Sequence, residues 1–286
     1  MNFSVIIPTY NRQNSLQHAI ESVLKLVYDD YEVIVVDDGS TDSTHEYLSG
    51  FSHDSKIRTI TELHRGPAAA RNAGLRIAGG RWIAYTDDDC RVPPDWLRKF
   101  EDEFNNSSPD IIGGAARDCS GKIFSALSQE MNNHYIRYLR NHGRHEFLTS
   151  NNVAYTAAAI RTGGGFNENF TRPGGEEREL NRVIISRGGT CAFLPGNLVD
   201  HYHDMSARDF FRQQQNYGRG SFMLVYSHRG DDTGPPLLPP GAYVSLLSSW
   251  VKGEGVAGLR KCALFFLAQL AVAIGFVRHA CSQEDE

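Results

Sequence analysis

Several features that mark other protein classes are missing from this chain of 286 residues. It has five cysteines, an odd number without any C-x-x-C pair, which indicates neither a disulfide framework nor a zinc knuckle. A basic excess is missing too, because the formal net charge is −5, and this disfavours a general nucleic-acid binder. The N-terminus shows neither a basic segment nor a small-residue cleavage site, so no secretion signal is expected. A cytoplasmic, reducing location fits this composition.

A glycine-rich loop is also missing after the first predicted strand, where residues 8–12 read PTYNR. A dehydrogenase would carry G-x-G-x-x-G at that point, so this class is disfavoured. A sugar-1-phosphate nucleotidyltransferase would carry a glycine-rich, basic loop there. That class stays open as a less favoured alternative.

Apolar runs alternate with helical patterns through the first part of the chain. Strands are predicted at 3–7, 32–36, 57–61 and 81–86, with helices between them. This alternation predicts an α/β fold, with a doubly wound and mainly parallel sheet flanked by helices. Further along, the pattern predicts strands at 111–112 and 153–159 and a helix at 176–187.

Two acidic clusters directly follow predicted strands. Asp37 and Asp38 end the second strand, and three consecutive aspartates, Asp87 to Asp89, follow the fourth. In open α/β sheets, ligands bind beyond the carboxyl ends of the strands, which is where both clusters are predicted to lie. Adjacent carboxylates repel one another and burial disfavours their charge, so the triplet indicates a divalent cation. A solvated turn or a helix cap is the alternative interpretation.

Five segments, in order and in spacing, resemble the family 2 glycosyltransferases of GT-A fold. They are PTYNR at 8–12, VDDGSTD at 36–42, ARNAG at 70–74, TDDD at 86–89 and GGEEREL at 174–180. Each alone is a weak signal, but five in order over about two-thirds of the chain form a specific one. The resemblance implies a GT-A catalytic domain over residues 1–230. A proline-containing linker and a C-terminal helical extension are predicted over 231–286.

The resemblance assigns the nucleotide of the donor to loops at the carboxyl ends of the first strands. In this family the PTYNR loop and the second aspartate of the DDGS element contact the nucleotide, which implies roles for Pro8, Tyr10, Arg12 and Asp38. An aspartate accepts a hydrogen bond from the imide of uracil or thymine, which favours UDP or dTDP over CDP. Arg71 is implied at the ribose or diphosphate, because its planar fork matches phosphate oxygens. A surface salt bridge is the alternative for Arg71.

The aspartate triplet matches the D-x-D pattern of the family. This implies that Asp87 and Asp89 hold Mn²⁺ or Mg²⁺ against the donor diphosphate, with Asp89 as the direct ligand. Asp88 is implied at a hydroxyl of the donor sugar, and a solvent-facing Asp88 is the alternative. Of the two histidines at 201–203, only one is expected to reach the site. His203 is the predicted one, and a purely structural histidine is the alternative.

The GGEEREL segment lies where the family carries its catalytic base. An acceptor hydroxyl needs such a base opposite the leaving group, which implies inversion at the anomeric carbon. By position the base is Glu177, where the family more commonly has aspartate, and Glu176 is the alternative. The implied function is transfer of a sugar from a nucleotide-diphosphate sugar to a glycan, lipid-linked or small-molecule acceptor. A catalytically silent nucleotide-sugar-binding protein or membrane-associated scaffold is the alternative from another class.

The C-terminal part of the chain differs from the rest in charge. Between residues 205 and 280, eight Lys and Arg oppose four Asp and Glu, a local charge of +4. Within it, residues 262–277 are apolar apart from Gln269, and basic pairs flank the run. This run is shorter than the ~20 residues of a membrane span. Two interpretations stay open: a peripheral helix on the inner face of a membrane through 257–279, and a buried packing or homodimer helix.

Overall fold

The computed structural model describes residues 1–227 and 237–284. It contains two compact units. Unit 1 comprises Met1–Ser120, Leu148–Arg172 and Glu176–His203, and unit 2 comprises Gly121–Phe147, Pro173–Gly175 and Asp204–Glu286. The boundary predicted between residues 230 and 231 lies outside the described residues and stays a prediction.

The helices and strands follow one another in this order. They are β1 (Phe3–Thr9), α1 (Gln13–Leu24), β2 (Tyr31–Asp37), α2 (Thr44–Ser49), β3 (Ile57–Thr61), α3 (Pro67–Ile77), β4 (Trp82–Tyr85), β5 (Cys90–Arg91), α4 (Trp96–Ser107), β6 (Ile111–Asp118), α5 (Ile123–Asn141), β7 (Val153–Thr156), α6 (Ala157–Gly163), α7 (Glu176–Ser186), β8 (Cys191–His201), α8 (Ala207–Ser227), α9 (Pro240–Glu254) and α10 (Val256–Glu284). The eight strands of the described residues all belong to unit 1 and form one sheet.

The sheet of unit 1 has the order β3-β2-β1-β4-β7-β6-β8-β5. Strands β1 to β4 all run parallel to one another, while β7 is antiparallel to both β4 and β6. β6 is parallel to β8, and β5 is antiparallel to β8. The predicted α/β fold with flanking helices is confirmed, and its first four strands are those that the sequence indicates.

One predicted strand, at 153–159, is wrong in its second half. The strand ends at Thr156, and α6 begins at Ala157. The Thr156 hydroxyl accepts a hydrogen bond from the amide of Ala159, which is the contact of a helix N-cap. Three alanines in succession then favour the helix.

The central strands of unit 1 are buried on both faces. Every residue of β2 is buried, which is the environment expected for a parallel strand with helices on both sides. α4 buries residues four positions apart, namely Trp96, Phe100 and Phe104. The Trp96 indole donates a hydrogen bond of 2.9 Å to the amide oxygen of Asn152. These residues pack α4 into the apolar core of unit 1.

Unit 2 consists of helices, and α8 and α10 approach one another closely. A Cβ atom added to Gly218 would lie 1.9 Å from the carbonyl oxygen of Val272, and one on Gly275 would lie 2.0 Å from that of Gln215. Only glycine permits this separation of the two backbones. α10 is a helix of 29 residues, longer than the apolar run from which it was predicted.

Candidate active site

The acidic triplet lies at the edge of the sheet where β1, β2 and β4 end. These strands are neighbours and run in the same direction, so the loops that follow them meet. The Thr9 hydroxyl donates a 2.8 Å hydrogen bond to Asp88. The Arg12 guanidinium donates to Asp88 at 3.1 Å and to Asp89 at 2.7 Å. Arg12, predicted at the nucleotide, is therefore the counter-charge of Asp88 and Asp89 in this structure.

Burial and the charges around the triplet shift the pKa values of its two buried carboxyl groups, Asp88 and Asp89, in opposite directions. Burial alone would raise the pKa of Asp89, but His201 and Arg12 hold that pKa well below its usual range. Burial raises the pKa of Asp88 to about 6, against the opposing effect of Arg12. Asp89 is thus the carboxylate that stays ionised at all ordinary pH values.

His201 is the histidine in contact with the triplet. Its Nε2 lies 3.2 Å from a carboxylate oxygen of Asp89, while the His203 ring lies 5.3 Å from the His201 ring, centroid to centroid. The reason is strand register, because His201 of β8 pairs with Cys90 of β5, directly after Asp89. From the sequence, one of the two histidines at 201 and 203 was predicted to lie at the metal site, and His203 was assigned this role. The structure brings His201 to the carboxylate and leaves His203 one ring further away.

Among the described residues, one group of side chains is placed to hold a metal ion. Ligand atoms of Asp89, Cys90 and His201 all lie within 4.8 Å of one another. Burial raises the pKa of the Cys90 thiol well above its usual value, and Cys90 packs in the apolar core, so it is a poor ligand. A permanently ionised aspartate beside an imidazole fits a divalent cation such as Mn²⁺.

Arg71 connects the triplet with the predicted catalytic segment. It lies on α3 and is only 4% exposed, unlike a surface salt-bridge residue. Its guanidinium donates to Asp87 at 3.0 Å and to Glu176 at 2.9 Å. Burial lowers its pKa, but Asp87 and Glu176 more than compensate and hold the pKa above its usual value. Arg71 therefore stays charged between the two acidic segments.

The two glutamates at the start of α7 occupy different environments. Glu176 is buried and bound to Arg71, whereas Glu177 is half-buried. Burial, and then the charge of Glu176, raise the pKa of Glu177 to about 8. Glu177 is thus the one of the pair that is both reachable and able to exchange a proton near neutral pH.

The residues predicted at the nucleotide base lie at the same edge of the sheet, in or directly after β1 and β2. Asp38 accepts hydrogen bonds from the amides of Arg65 and Gly66, at 3.0 and 2.9 Å, and its carboxylate lies 2.9 Å from Nδ1 of His64. The Tyr10 ring stacks on the His64 ring, with centroids 3.9 Å apart and planes 17° apart. Pro8 lies in β1, half-buried and in register with Val36 of β2. Asp38 therefore holds the loop before α3 in place.

Glycine is required where that loop enters α3. Gly66 has a φ of +96°, and an added Cβ would lie 2.3 Å from the carbonyl oxygen of Thr171. Any other residue would meet both a disfavoured backbone conformation and a clash. The amide of Gly66 is thereby held against Asp38.

Three residues of the site were not singled out from the sequence: Thr9, His64 and His201. Thr9 stands inside the PTYNR segment, and His64 stands between the third predicted strand and the helix at Pro67, on the same sheet edge. Position relative to strand ends was therefore an available signal for both. His201 stands in the segment from which His203 was chosen, and only strand register separates the two.

The Arg71–Glu176 pair gives a stability prediction. Arg71→Met would take the Arg71 guanidinium away from the buried Glu176 carboxylate, and we expect the free energy of unfolding to fall by about 3–5 kcal/mol. Arg76→Met is the matched control, because Arg76 pairs with Glu62 at 3.1 Å on the surface and should lose at most about 1 kcal/mol. Urea denaturation measures both. Equal losses in the two variants would contradict the prediction, and Glu176→Gln combined with Arg71→Met should recover part of the loss.

Solved structures with this fold include one protein from S. aureus and one from Pyrobaculum calidifontis. One is S. aureus TarS 1–349 in complex with UDP-GlcNAc, with a TM-score of 0.65, 17% identity, and coverage of 82% of this chain and 68% of that one. The other is the mannosyltransferase PcManGT from Pyrobaculum calidifontis in complex with GDP-Man and Mn²⁺, with a TM-score of 0.68, 17% identity, and coverage of 98% and 87%. The predicted GT-A fold is thus confirmed.

Curated relatives agree in family but are longer than this chain. The pre-mycofactocin glycosyltransferase of Mycobacterium tuberculosis is 28% identical over 275 residues, which cover 93% of this chain and 56% of that protein. An uncharacterized glycosyltransferase of Rickettsia felis is 48% identical over 105 residues, which cover 36% of this chain and 17% of that protein. The chain therefore spans about half or less of the length of these relatives.

The sequence model of one family covers most of unit 1. It is described as glycosyl transferase family 2 and matches residues 4–163, more than half of the chain. The matched range contains the PTYNR, DDGS, ARNAG and TDDD segments that surround the site. This chain belongs to glycosyl transferase family 2.

Proposed function

We propose that this chain is an inverting, metal-dependent glycosyltransferase of the hexosyl-transferring type. It moves a sugar from a nucleotide-diphosphate sugar to an acceptor hydroxyl. One observation carries the proposal: buried Arg71 binds Asp87 of the triplet with one nitrogen and Glu176 of the catalytic segment with another. One aspartate of the proposed metal site and the segment that carries the proposed base are therefore linked through one side chain.

Glu177 is the proposed base. Its carboxylate takes the proton of the acceptor hydroxyl while that oxygen forms a bond to the anomeric carbon. The bond between this carbon and the diphosphate oxygen breaks on the opposite side, and the electron pair leaves with the nucleotide diphosphate. Because attack and departure are on opposite faces, the configuration inverts. Glu176 orients the start of α7 through Arg71 and is a positioning residue.

A divalent ion held by Asp89, with Asp87 and His201, would supply charge neutralisation to the departing diphosphate. The chain contributes the rest. Arg71 stays protonated and presents a cation on the same side, and Thr9 together with Arg12 keeps Asp88 in place. The short distance between Asp89 and His201 supports this assignment over one through His203.

UDP or dTDP is the proposed nucleotide of the donor. The Asp38 carboxylate accepts from two backbone amides and lies beside His64, and a carboxylate has about four acceptor positions, so one remains for a pyrimidine imide. The exposed Tyr10–His64 stack offers an aromatic face for the base at the same point. The related structures contain UDP-GlcNAc in one case and GDP-Man in another, so the base needs a direct test.

The test is thermal stability of the protein with UDP, dTDP, GDP and CDP, each with and without Mn²⁺. A ligand that binds only the folded state stabilises it and so raises the melting temperature. At a ligand concentration 100 times its Kd, the free energy of unfolding increases by about 2.7 kcal/mol. We expect a manganese-dependent rise with UDP or dTDP. A rise with GDP alone would contradict the proposed base, and no rise with any of the four would favour a protein that binds no donor. Release of nucleotide diphosphate from the matching sugar donor then separates a transferase from a silent binding protein.

A further inference from the structure

One side of α10 in unit 2 is apolar and exposed. Its members follow a spacing of four and three residues, which keeps them on one face of the helix. They are Leu259, Ala263, Phe266, Leu270, Ala273 and Val277, all exposed. Phe266 is 62% exposed and Leu270 59% exposed. Six apolar positions in one stripe form a contiguous surface, which we call the α10 stripe, and such surfaces mark interaction sites.

The opposite side of α10 is already packed within unit 2. Gly258 contacts the end of α9 at Trp250, and Gly218 of α8 contacts α10 at Val272. Phe276 of α10 packs edge-on against Phe222 of α8, with centroids 5.3 Å apart. The internal contacts of α10 therefore use one face and leave the stripe outside.

α10 satisfies the length and composition of a membrane-crossing helix over Val256–Ser282, and 22% of its 18-residue apolar window is buried. α8, which packs against α10, makes a membrane-crossing orientation of α10 unfavourable. α8 contains Arg208, Asp209 and Arg212, and a crossing α10 would bring this polar helix into the hydrocarbon at high cost. A helix lying flat, with the stripe at the lipid surface and α8 on the side away from it, avoids that cost.

Charge at the ends of the stripe identifies its partner. Exposed Arg260 and Arg278 border it, about 27 Å apart along the helix at 1.5 Å per residue. The third basic residue nearby, Lys261, binds Glu130 and Glu254 at 2.7 Å each. Residues 256–282 contain no Asp or Glu. An apolar stripe between two arginines matches the acyl chains and the phosphate groups of an anionic membrane surface.

The same charges oppose a second copy of this chain as the partner. Arg260 and Arg278 are equally distant in sequence from Gln269. Antiparallel pairing of two stripes would bring Arg260 of each copy to Arg278 of the other, and parallel pairing would bring each arginine to its own counterpart. Like charges meet at both ends in either case, which disfavours the dimer.

We propose that the α10 stripe docks on the surface of an anionic lipid bilayer, with Phe266 and Leu270 inserted among the acyl chains and Arg260 and Arg278 at the phosphates. This property goes beyond sugar transfer and does not depend on which donor is used. It is a surface contact rather than a membrane span.

Co-sedimentation with vesicles tests the proposal, with the whole chain and two vesicle types: phosphatidylcholine alone, and phosphatidylcholine mixed equally with phosphatidylglycerol. We expect binding to the mixed vesicles, weakened by salt. The double variant Phe266→Ser, Leu270→Ser should bind at least about tenfold more weakly. Arg260→Gln and Arg278→Gln should each weaken binding about fivefold. Val27→Ser and Lys25→Gln, which change exposed residues of unit 1, are the matched controls and should bind like the parent protein.

Three outcomes would overturn the proposal. One is the absence of binding to mixed vesicles by a monomeric protein. Another is a dimer in analytical ultracentrifugation that the Phe266→Ser, Leu270→Ser variant abolishes, which would assign the stripe to a second copy. The third is equal binding to both vesicle types, unaffected by either arginine. Because every substituted side chain is exposed, unchanged melting temperatures confirm that the variants are folded.

Discussion

Glu177→Gln is expected to reduce sugar transfer by about 10²–10⁴-fold while leaving donor binding intact, because glutamine keeps the shape of the side chain but cannot take a proton. Two properties distinguish Glu177 from its neighbour Glu176. Glu177 is half-buried and has a pKa raised to about 8, whereas Glu176 is buried and bound to Arg71 at 2.9 Å. A carboxylate already paired with a guanidinium is a weak base. Transfer rates and nucleotide-dependent melting shifts, measured on the same preparation, check both parts.

The raised pKa of Glu177 also sets the direction of the pH dependence. Only the ionised carboxylate accepts a proton, so transfer should increase as pH rises toward about 8. Stability should change in the opposite direction. The folded protein holds the Glu177 proton more tightly than the unfolded chain does, so the free energy of unfolding falls as pH rises from the usual glutamate range to about 8. Glu177→Gln removes this fall, and the variant should melt at a higher temperature than the parent protein at pH 8.

Two companion variants make the result for Glu177 decisive. Glu179→Gln changes a glutamate of the same helix, two positions further along, and is expected to retain transfer. Glu176→Gln should lower stability as well as transfer, since it removes a buried partner of Arg71. Full transfer by Glu177→Gln, together with its loss in a stable Glu176→Gln protein, would move the base to Glu176.

The parallel part of the fold was predictable because its information is local. Each of the first four strands is an apolar run between turn signals, and α3 begins with a proline at its first position. The antiparallel strands were not predictable, since the direction of a strand in the sheet depends on partner strands far along the chain. β7 pairs with both β4 and β6, and nothing in the four residues of β7 specifies these neighbours. The boundary at Thr156 carried a local signal, the N-cap threonine, which outweighs the strand-like pattern of the residues after it.

The residues of the candidate site fall into the same two groups: those that local sequence predicts, and those that depend on contacts between distant segments. Motif residues such as Asp38, Asp89 and Glu177 are adjacent to strand or helix ends, so sequence position was enough to propose a role for each. The choice between His201 and His203 was different, because it rests on the register between β8 and β5. A shift of two residues in that pairing would place His203 instead of His201 opposite Cys90, because residues two apart in a strand lie on the same face. Contacts between segments that are distant in sequence are therefore what the structure adds.

Asp89→Asn is expected to weaken manganese-dependent nucleotide binding by at least about 100-fold. Replacing a residue that only supports a metal ligand lowers metal affinity by about 10–100-fold, and Asp89 is proposed as a ligand itself. Asp89 is the carboxylate that His201 and Arg12 hold in its ionised form, and asparagine removes the charge while keeping the size. The Mn²⁺-dependent rise in melting temperature with the preferred nucleotide should disappear. Asp95→Asn changes an exposed aspartate paired with Lys99 and is the matched control, with an unchanged rise.

The same measurement distinguishes the two histidines. The charge of Asp89 holds the pKa of His201 above its usual value in spite of burial, while burial lowers the pKa of His203. A metal ion must displace the proton of a histidine that binds it, so binding through His201 should strengthen as pH rises through its raised pKa. His201→Gln should remove this pH dependence together with most of the affinity, whereas His203→Gln should retain both. Loss of affinity in His203→Gln alone would assign the ligand to His203. An unchanged manganese response in Asp89→Asn would move the metal away from the triplet altogether.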